Sequence, residues 1–551
     1  MTPDAESAAA VPANIPKDRF AGLAENWKHD IQSGFILFLI ALPLCLGIAM
    51  ASGAPPLAGI IAAVVGGMIV SQVSGSYVTI NGPAAGLIVV IVQAIDSLGG
   101  GSYGYHACLA AIVISGLILL VMGLCKAGEL GYFFPSSVVH GMLSAIGIII
   151  MLKQFPLMLG VKPPAKEPLS LLMQIPSMLS HMNPEIALIG FISMMLLVVH
   201  TLIKNKYVKM IPAPIIVVGI AIALGLYFDL EHPHSYLVGS AKYIIDPAKY
   251  LVVLPHNLME GITPPNFDAI HDPDFLMAVI SITLIQGIET LLSCAAVDKL
   301  DVFQRRSNLS RDMAANGLGS AISGMIGGLP MIAEIVRSSA NVNSGARTRW
   351  SNFFHGLFMF TFVVLAANLI DEIPLASLAA LLVFTGFRLA SPQVFKHMHK
   401  IGPEQTIIFV ITIFTTLATD LLIGVFTGVI VKSIIHLARG AKLGSFFIAK
   451  MKLSNEGDNY TVQIYESAIF ANFISIKKKL DKIPTGKNVT VDLSQTTLVD
   501  HTVMERLRDY SRDYERDGGQ FIVKGLDTHK SSSDHALSSR CQPKSKVGTA
   551  A

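Results

Sequence analysis

The sequence predicts a polytopic α-helical membrane protein carrying a small α/β domain towards its C-terminal end. Three observations predict it. Of 551 residues, 52% are hydrophobic and only 14% charged, whereas soluble domains carry about 25% charged residues. Apolar runs of roughly 17 to 25 residues, each able to cross a hydrocarbon layer about 30 Å thick, recur from Ile31 to about Leu437. From about Lys450 the pattern changes to short β-like runs alternating with charged helical stretches.

The elements follow in order. Residues 1–30 hold Asp4, Glu6, Lys17, Asp18, Arg19, Glu25, Lys28 and Asp30 and no short apolar stretch with a cleavage site, so they are expected to stay as a cytoplasmic N-terminal segment. A transmembrane region is expected over 31–440. Its segments begin near Ile31, Leu57, Gly82, Tyr105, Ser136, Ile186, Ile211 and Phe275, then near Met313, Ala333, Asn352, Pro374, Gln405 and Leu421. That is about fourteen, two of them broken, in two sets of about seven. With the N-terminus inside, the cytoplasmic connections hold Lys204, Lys206 and Lys209, then Lys299, Arg305, Arg306 and Arg311, then Arg388, Lys396 and Lys400, as the positive-inside rule requires. The long connection with Asp229, Glu231, Asp246, Glu260, Asp268, Asp272 and Asp274 against Lys242 and Lys249 suits an external loop; Lys153, Lys162 and Lys166 run against the pattern. Pro135–Gly147 echoes Pro374–Gly386 in its small and apolar residues. An odd number of spans per repeat inverts the second copy, a plan that puts a substrate site near the midplane.

Residues 450–527 contain the strand-like Tyr460–Tyr465 and Val489–Leu493 and the helical Thr502–Glu515, a soluble α/β domain. Residues 528–551, rich in Ser and Lys, are expected to be a disordered tail. A net charge of +3 is too small to imply nucleic-acid binding. Cys45, Cys108, Cys125 and Cys294 lack the spacing of a metal or disulfide framework and read as small core residues, and no cofactor is expected.

The third segment runs from Gly75 through Asn81, Gly82, Pro83, Ala84 and Gly86 to Val92, too short to span as a helix from Gly82. It predicts an extended stretch joined to a half-helix starting inside the membrane, with Pro83 in the first turn, where a missing N–H costs nothing. The tenth segment repeats the plan, Gly327 to Pro330 leading into Ala333–Ser338. Two half-helix N-termini would then face one another, and their free N–H groups and positive dipole ends make an anion site. Unwound backbone at membrane depth survives only where it is buried or lines a cavity. The alternative, that Gly82 and Pro330 merely kink two full spans, stays open on the sequence. Three ionisable groups lie here: Glu289 in the eighth segment, and Glu334 and Arg337 in the tenth, three residues apart on neighbouring helix faces. Each costs roughly 2.5 to 3.5 kcal/mol at a helix centre. Either Glu334 and Arg337 neutralise each other, or Arg337 serves the anion while Glu289, with Ser293 one turn on, takes a proton or cation. His140, His200 and His355 read as packed core or interface histidines.

At these residues the sequence resembles the SulP family of anion transporters, the sulfate permeases, over almost the whole chain. The matches are Leu42-Pro43 with Ala49–Pro56, Asn81-Gly82-Pro83, Ile288–Ser293, and Arg337-Ser338 with Ser344–Thr348; Val491–Ser494 and Val499–Glu505 look like a STAS domain. The resemblance implies a seven-plus-seven inverted topology, a core domain moving against a gate domain, and a homodimer. It implies an anion pocket at Leu44, Ile48, Gly82, Ala84, Val336 and Arg337. Some members carry a Gln and an aromatic ring at the positions of Leu44 and Ile48 and a Ser at Val336, so backbone amides must supply more of the binding here. In the family's sodium-dependent bicarbonate transporters an acidic residue and a hydroxyl one turn apart help bind sodium, and Glu289 and Ser293 match them; no other metal is implied. Where those transporters open the tenth helix with Gly-Ala-Thr, this chain reads Ala333-Glu334-Ile335, which brings in Glu334 and proton coupling. Thr502 lines up with a residue phosphorylated in related bacterial regulators, a switch through added charge, or is simply a helix N-terminal threonine.

These readings converge on secondary active transport of a small inorganic anion, sulfate or bicarbonate, by alternating access with H+ or Na+ symport. The protein would sit in a cell membrane with both termini cytoplasmic, partnered by lipid and a second copy. Alternatives are an anion channel or uncoupled exchanger with the same pocket, a nucleobase symporter of the same fold, and a membrane sensor signalling through its STAS domain.

Overall fold

A computed structural model describes residues 15–543, apart from 164, 166, 204, 206–207, 209–210, 240 and 255–260. Lys166, Lys204, Lys206, Lys209 and Glu260, used above to orient the chain, therefore lie outside the described residues. The chain divides into two compact units, residues 1–128 with 146–388, and residues 129–145 with 389–551.

In the first unit, helix α1 (Arg19–Ala51) is capped by the Asp18 carboxylate and contains Pro43. It starts well before Ile31, so residues 19–30 of the expected N-terminal segment are the first turns of α1, while residues 1–14 lie outside the described residues. Polar groups tie those turns down. Buried Asp30 accepts from the backbone N–H of Arg347 at 2.9 Å and of Thr348 at 3.1 Å. Arg349 forks onto Asp18 at 2.7 and 2.8 Å. The helix α2 (Pro56–Val65) continues through a π turn at Gly66–Val70, and strand β1 (Asn81–Pro83) precedes α3 (Ile88–Ser97). Then come α4 (Gly101–Leu124), α5 (Ser136–Met158), within which the chain passes between units, α6 (Pro184–Leu202) and α7 (Ala213–Tyr227). Within the acidic connection, β2 (His234–Val238) pairs antiparallel with β3 (Ala241–Ile245). Helices α8 (Pro273–Leu300) and α9 (Leu309–Met325), strand β4 (Met331–Ala333), α10 (Ile335–Asn343), α11 (Trp350–Leu365) and α12 (Leu375–Leu389) complete the unit.

Helix α9 is held by fit rather than by apolarity. A Cβ on Gly116 of α4 would lie 2.6 Å from the Gly317 carbonyl oxygen and 2.7 Å from the Ala321 nitrogen, and one on Gly123 would lie 2.5 Å from the Ala314 nitrogen. Small residues on both helices let the backbones touch, the usual adhesive between helices in lipid.

Every predicted segment falls on a helix or on the short strand before one. Among the described residues, eight helices are long and apolar enough to cross a membrane, and Ala85–Ser97, Ala213–Tyr227, Trp350–Leu365 and Pro403–Ala418 are apolar but shorter. Among the described residues the helices thus establish a polytopic membrane protein without fixing fourteen crossings, because α9 is too polar and α10 too short to count by composition.

The second unit contains α13 (Pro392–Ile401), α14 (Pro403–Ala418) and α15 (Leu421–Ala438), then the α/β domain. Its strands are β5 (Lys450–Glu456), β6 (Asn459–Ala468), β7 (Asn488–Val499), β8 (Gln520–Lys524), β9 (Lys530–Ser531) and β10 (Arg540–Cys541), ordered β5-β6-β7-β10-β9 with β8 also on β7. β6, β7 and β8 run parallel. Helices α16 (Phe473–Leu480) and α17 (His501–Arg516) close a core of Val462, Ile464, Phe473, Ile476, Val489, Val491, Leu493, Val503 and Leu507. Arg506 of α17 donates to the Tyr132 and Phe134 carbonyls, which fixes the segment before α5.

The tail expected to be disordered is ordered over 530–541. Cys541 pairs with Leu498 and with Lys530, Leu537 enters the core, and His529 Nε2 lies 2.7 Å from the Thr496 carbonyl. Composition misled because backbone pairing and polar side-chain bonds, rather than large apolar groups, hold this stretch; 544–551 lie outside the described residues.

Candidate functional site at two facing half-helices

Strands β1 and β4 pair antiparallel, with Asn81 opposite Ala333, Gly82 opposite Ile332 and Pro83 opposite Met331. Each is followed at once by a short helix, so two strand-then-helix units meet head on. The kinked-span alternative is thereby excluded. Pro83 is not in the helix, as the sequence suggested, but in the strand; Ala84, in extended conformation, opens a 3-10 turn at Ala85–Leu87 that leads into α3. Helix α10 starts at Ile335, with Glu334 as its cap.

Cross-bonds lock the two units. The Glu334 N–H donates to the Ile80 carbonyl at 2.8 Å, and the Ile80 N–H to Ser338 Oγ at 2.9 Å. Asn341 Nδ2 donates to the Val78 carbonyl at 2.8 Å. Arg337, 1% exposed, donates to the Pro83 carbonyl and, at 3.4 Å, to Cys45 Sγ. A Cβ at Gly82 would sit 2.8 Å from Arg337 Nη1, so a larger residue there would push the guanidinium aside.

A carboxylate faces each half-helix N-terminus. Glu334 accepts from the Arg337 N–H at 3.4 Å and lies 3.8 Å from Arg337 Nε. Glu289, buried on α8, lies against Gly86 in the first turn of the other half-helix, where a Cβ would overlap its carboxylate. Among the described residues nothing hydrogen-bonds to Glu289 Oε1. The free N–H groups and dipole ends of both helices attract negative charge, and here each has a carboxylate beside it.

The structure thus brings together Gly82, Ala84, Glu289, Glu334 and Arg337. Ser293 is buried one turn beyond Glu289. Leu44 and Ile48 flank Cys45 on α1, Ile48 buried and Leu44 packed against the apolar cluster that includes Leu378 and Leu381, while half-buried Val336 precedes Arg337. Thr502 stands apart in the second unit at the start of α17, fully buried, with Lys432 Nζ 3.4 Å from its hydroxyl. Modification there would require that helix start to open first. His355 is buried in α11, as expected of a core histidine.

Sequence reasoning missed the polar scaffold behind the strands. Asn81 Nδ2 donates to Asn316 Oδ1 at 2.9 Å, and Asn352 Nδ2 to Asn81 Oδ1 at 3.0 Å. Gln286 Nε2 donates to the Met331 carbonyl at 2.8 Å and to Ser320 Oγ at 2.6 Å, and Ser320 Oγ takes the Met331 N–H at 2.9 Å. The signal was present: Asp312, Asn316, Ser320 and Ser323 recur at helical spacing, a polar stripe along one face of α9.

The chain matches the sulfate permease family over residues 27–412. The bicarbonate transporter BicA of Picosynechococcus is 25% identical over 427 residues, 76% of this chain and 72% of its own length. The sodium-independent sulfate anion transporter of Bos taurus is 22% identical over 523 residues, 91% of this chain and 84% of its own. The solved transmembrane domain of a cyanobacterial BicA has the same fold, with a TM-score of 0.62 at 23% identity, covering 73% of this chain and 97% of that one. A match over most of its length, together with the paired strand-and-half-helix units, shows that this chain belongs to the sulfate permease family.

Proposed function

We propose that the protein is a secondary transporter of small inorganic anions that carries its substrate together with a proton or a sodium ion. One observation carries the reading: each half-helix N-terminus, the natural seat of an anion, already faces a carboxylate, Glu289 at Gly86 and Glu334 at Arg337. An anion entering between them would be repelled by both charges. Neutralising the carboxylates removes that repulsion, so anion and cation bind best together, which is symport by simple electrostatics. Glu334 also pairs with Arg337; its protonation would free the guanidinium for the anion. The relatives' names supply the substrate class, bicarbonate for one and sulfate for the other. Alternating access, with about seven spans in each of two inverted halves, cytoplasmic termini, a STAS-like C-terminal domain and a homodimer complete the proposal.

The test is uptake of labelled sulfate and bicarbonate into proteoliposomes under imposed proton or sodium gradients. Accumulation driven by one gradient and abolished in Glu289→Gln supports symport and names both ions. Flux that ignores both gradients and survives the substitution would reduce the protein to a channel or uncoupled exchanger.

A further inference from the structure

The segment joining α15 to the α/β domain has two faces. Helix α15 ends in a left-handed turn: Gly440 has φ +95°, and the Ala441 N–H returns to the His436 carbonyl at 3.0 Å. The chain is thereby bent aside instead of projecting onward. Beyond it Ala441, Ser445 and Ala449 are buried, with Phe446 packed beside Ala441, Ile469 and Leu498. The opposite face shows Leu443, Phe447 and Ile448, 72%, 83% and 68% exposed. Folding alone would have no reason to leave three large apolar side chains in water.

What they meet can be argued from position and charge. Ile423, Phe426, Ile430, Ile434 and Leu437 are exposed along α15 at helical spacing, the stripe a spanning helix turns to lipid. Leu443 follows Ala438, the last residue of α15, within at most roughly 18 Å of chain, so the apolar face continues that stripe at the depth where the span leaves the bilayer. Basic residues frame it. Lys442 and Lys450 both reach Glu466, at 3.0 and 2.8 Å, yet their side chains stay 72% and 69% exposed. The trio keeps a net positive charge, and Lys452 adds another on the exposed side. Apolar side chains beside snorkelling lysines are the composition of a segment lying in the bilayer interface.

We propose that residues 439–450 form a membrane-surface anchor, with Leu443, Phe447 and Ile448 in the interfacial layer and the lysines against anionic lipid headgroups. The anchor fixes the root of the α/β domain at the bilayer, so lipid charge can act on the domain.

The test uses the full-length protein in nanodiscs. Phe447→Trp and, separately, Leu443→Trp add one indole to the native Trp27 and Trp350, whose signal is subtracted using the parent protein. Both positions are mostly exposed, so neither substitution removes packing. In discs with anionic lipid the new indole is expected to emit at shorter wavelength than in water. Lipids brominated near the headgroup end of the acyl chains should quench it strongly, and less so in purely zwitterionic discs. Quenching by aqueous iodide with none by bromolipid would overturn the anchor. Protection from both quenchers would also overturn it and give the face to a second copy of the chain. Equal bromolipid quenching in zwitterionic discs would overturn the headgroup role of the lysines.

Discussion

Glu334 Oε2 lies 3.4 Å from the backbone nitrogen of Arg337 and 3.8 Å from its Nε, so one carboxylate both caps α10 and pairs with the guanidinium that the helix buries. An anion competing for that N-terminus must displace or neutralise it. Glu334→Gln keeps an oxygen for the cap and removes the charge. In this variant, uptake is expected to gain apparent affinity for the anion by about fivefold, the equivalent of about 1 kcal/mol for a charge at a helix end. Initial rates of anion uptake across a range of anion concentrations check this, and an unchanged apparent affinity would refute it.

Gly86→Ala is a substitution aimed at Glu289 from outside. Its Cβ would collide with the Glu289 carboxylate, the movable end of a side chain, so the helix can persist while the carboxylate is displaced. The variant should reach the membrane in normal amount and behave like Glu289→Gln, with loss of gradient-driven accumulation. Normal coupling in Gly86→Ala would show that the position of this carboxylate does not matter.

Arg337→Lys separates charge from geometry. A lysine keeps the positive charge but lacks the planar fork that reaches both the Pro83 carbonyl and Cys45. Uptake should fall at least tenfold, with a lowered melting temperature, because the link between the half-helix units is lost along with any anion contact. Full activity in the lysine variant would mean that charge alone suffices.

In the second unit, buried Lys432 places Nζ 2.8 Å from Asp500 Oδ1, with His436 Nε2 3.7 Å from the same oxygen. Burial disfavours the charge on Asp500, but Lys432 and His436 outweigh it and hold the carboxyl well below the usual range. A carboxyl whose folded pKa is depressed stabilises above its unfolded value, about 3.9, and that contribution is lost as pH falls through the folded pKa. Asp500→Asn should therefore melt lower than the parent at neutral pH, by the equivalent of about 3 to 5 kcal/mol for a broken buried pair. The gap should narrow below about pH 4. A gap independent of pH would show that the carboxylate's charge is not what the cluster uses.

Legibility in the sequence followed the physics of each signal. Apolar runs revealed the helices because burial in lipid needs length and hydrophobicity together. The broken segments at Gly82 and Ala333 were visible because glycine, proline and ionisable residues at that depth require a reason. Their mutual pairing was harder to see, since antiparallel register between Asn81 and Ala333 leaves no local trace in either stretch. Residues such as Asn316 and Ser320 were overlooked because polarity in a segment of α9's length looks like a weak span, when it is the scaffold for the strands. The ordered strands at Lys530 and Arg540 were hidden for the opposite reason: backbone pairing can fix a stretch whose composition promises nothing.

The contact of α4 with α9 through Gly116, Gly123 and Gly317 has a consequence for handling and for evolution of the protein. Its cohesion depends on shape, so it does not weaken when detergent replaces lipid, because neither solvent competes for a surface that offers it no foothold. Such a seam tolerates a change of apolar surroundings and is intolerant of a single added methyl group. Variation should accordingly be free on the outward sides of these two helices and nearly forbidden at three positions that carry no side chain at all.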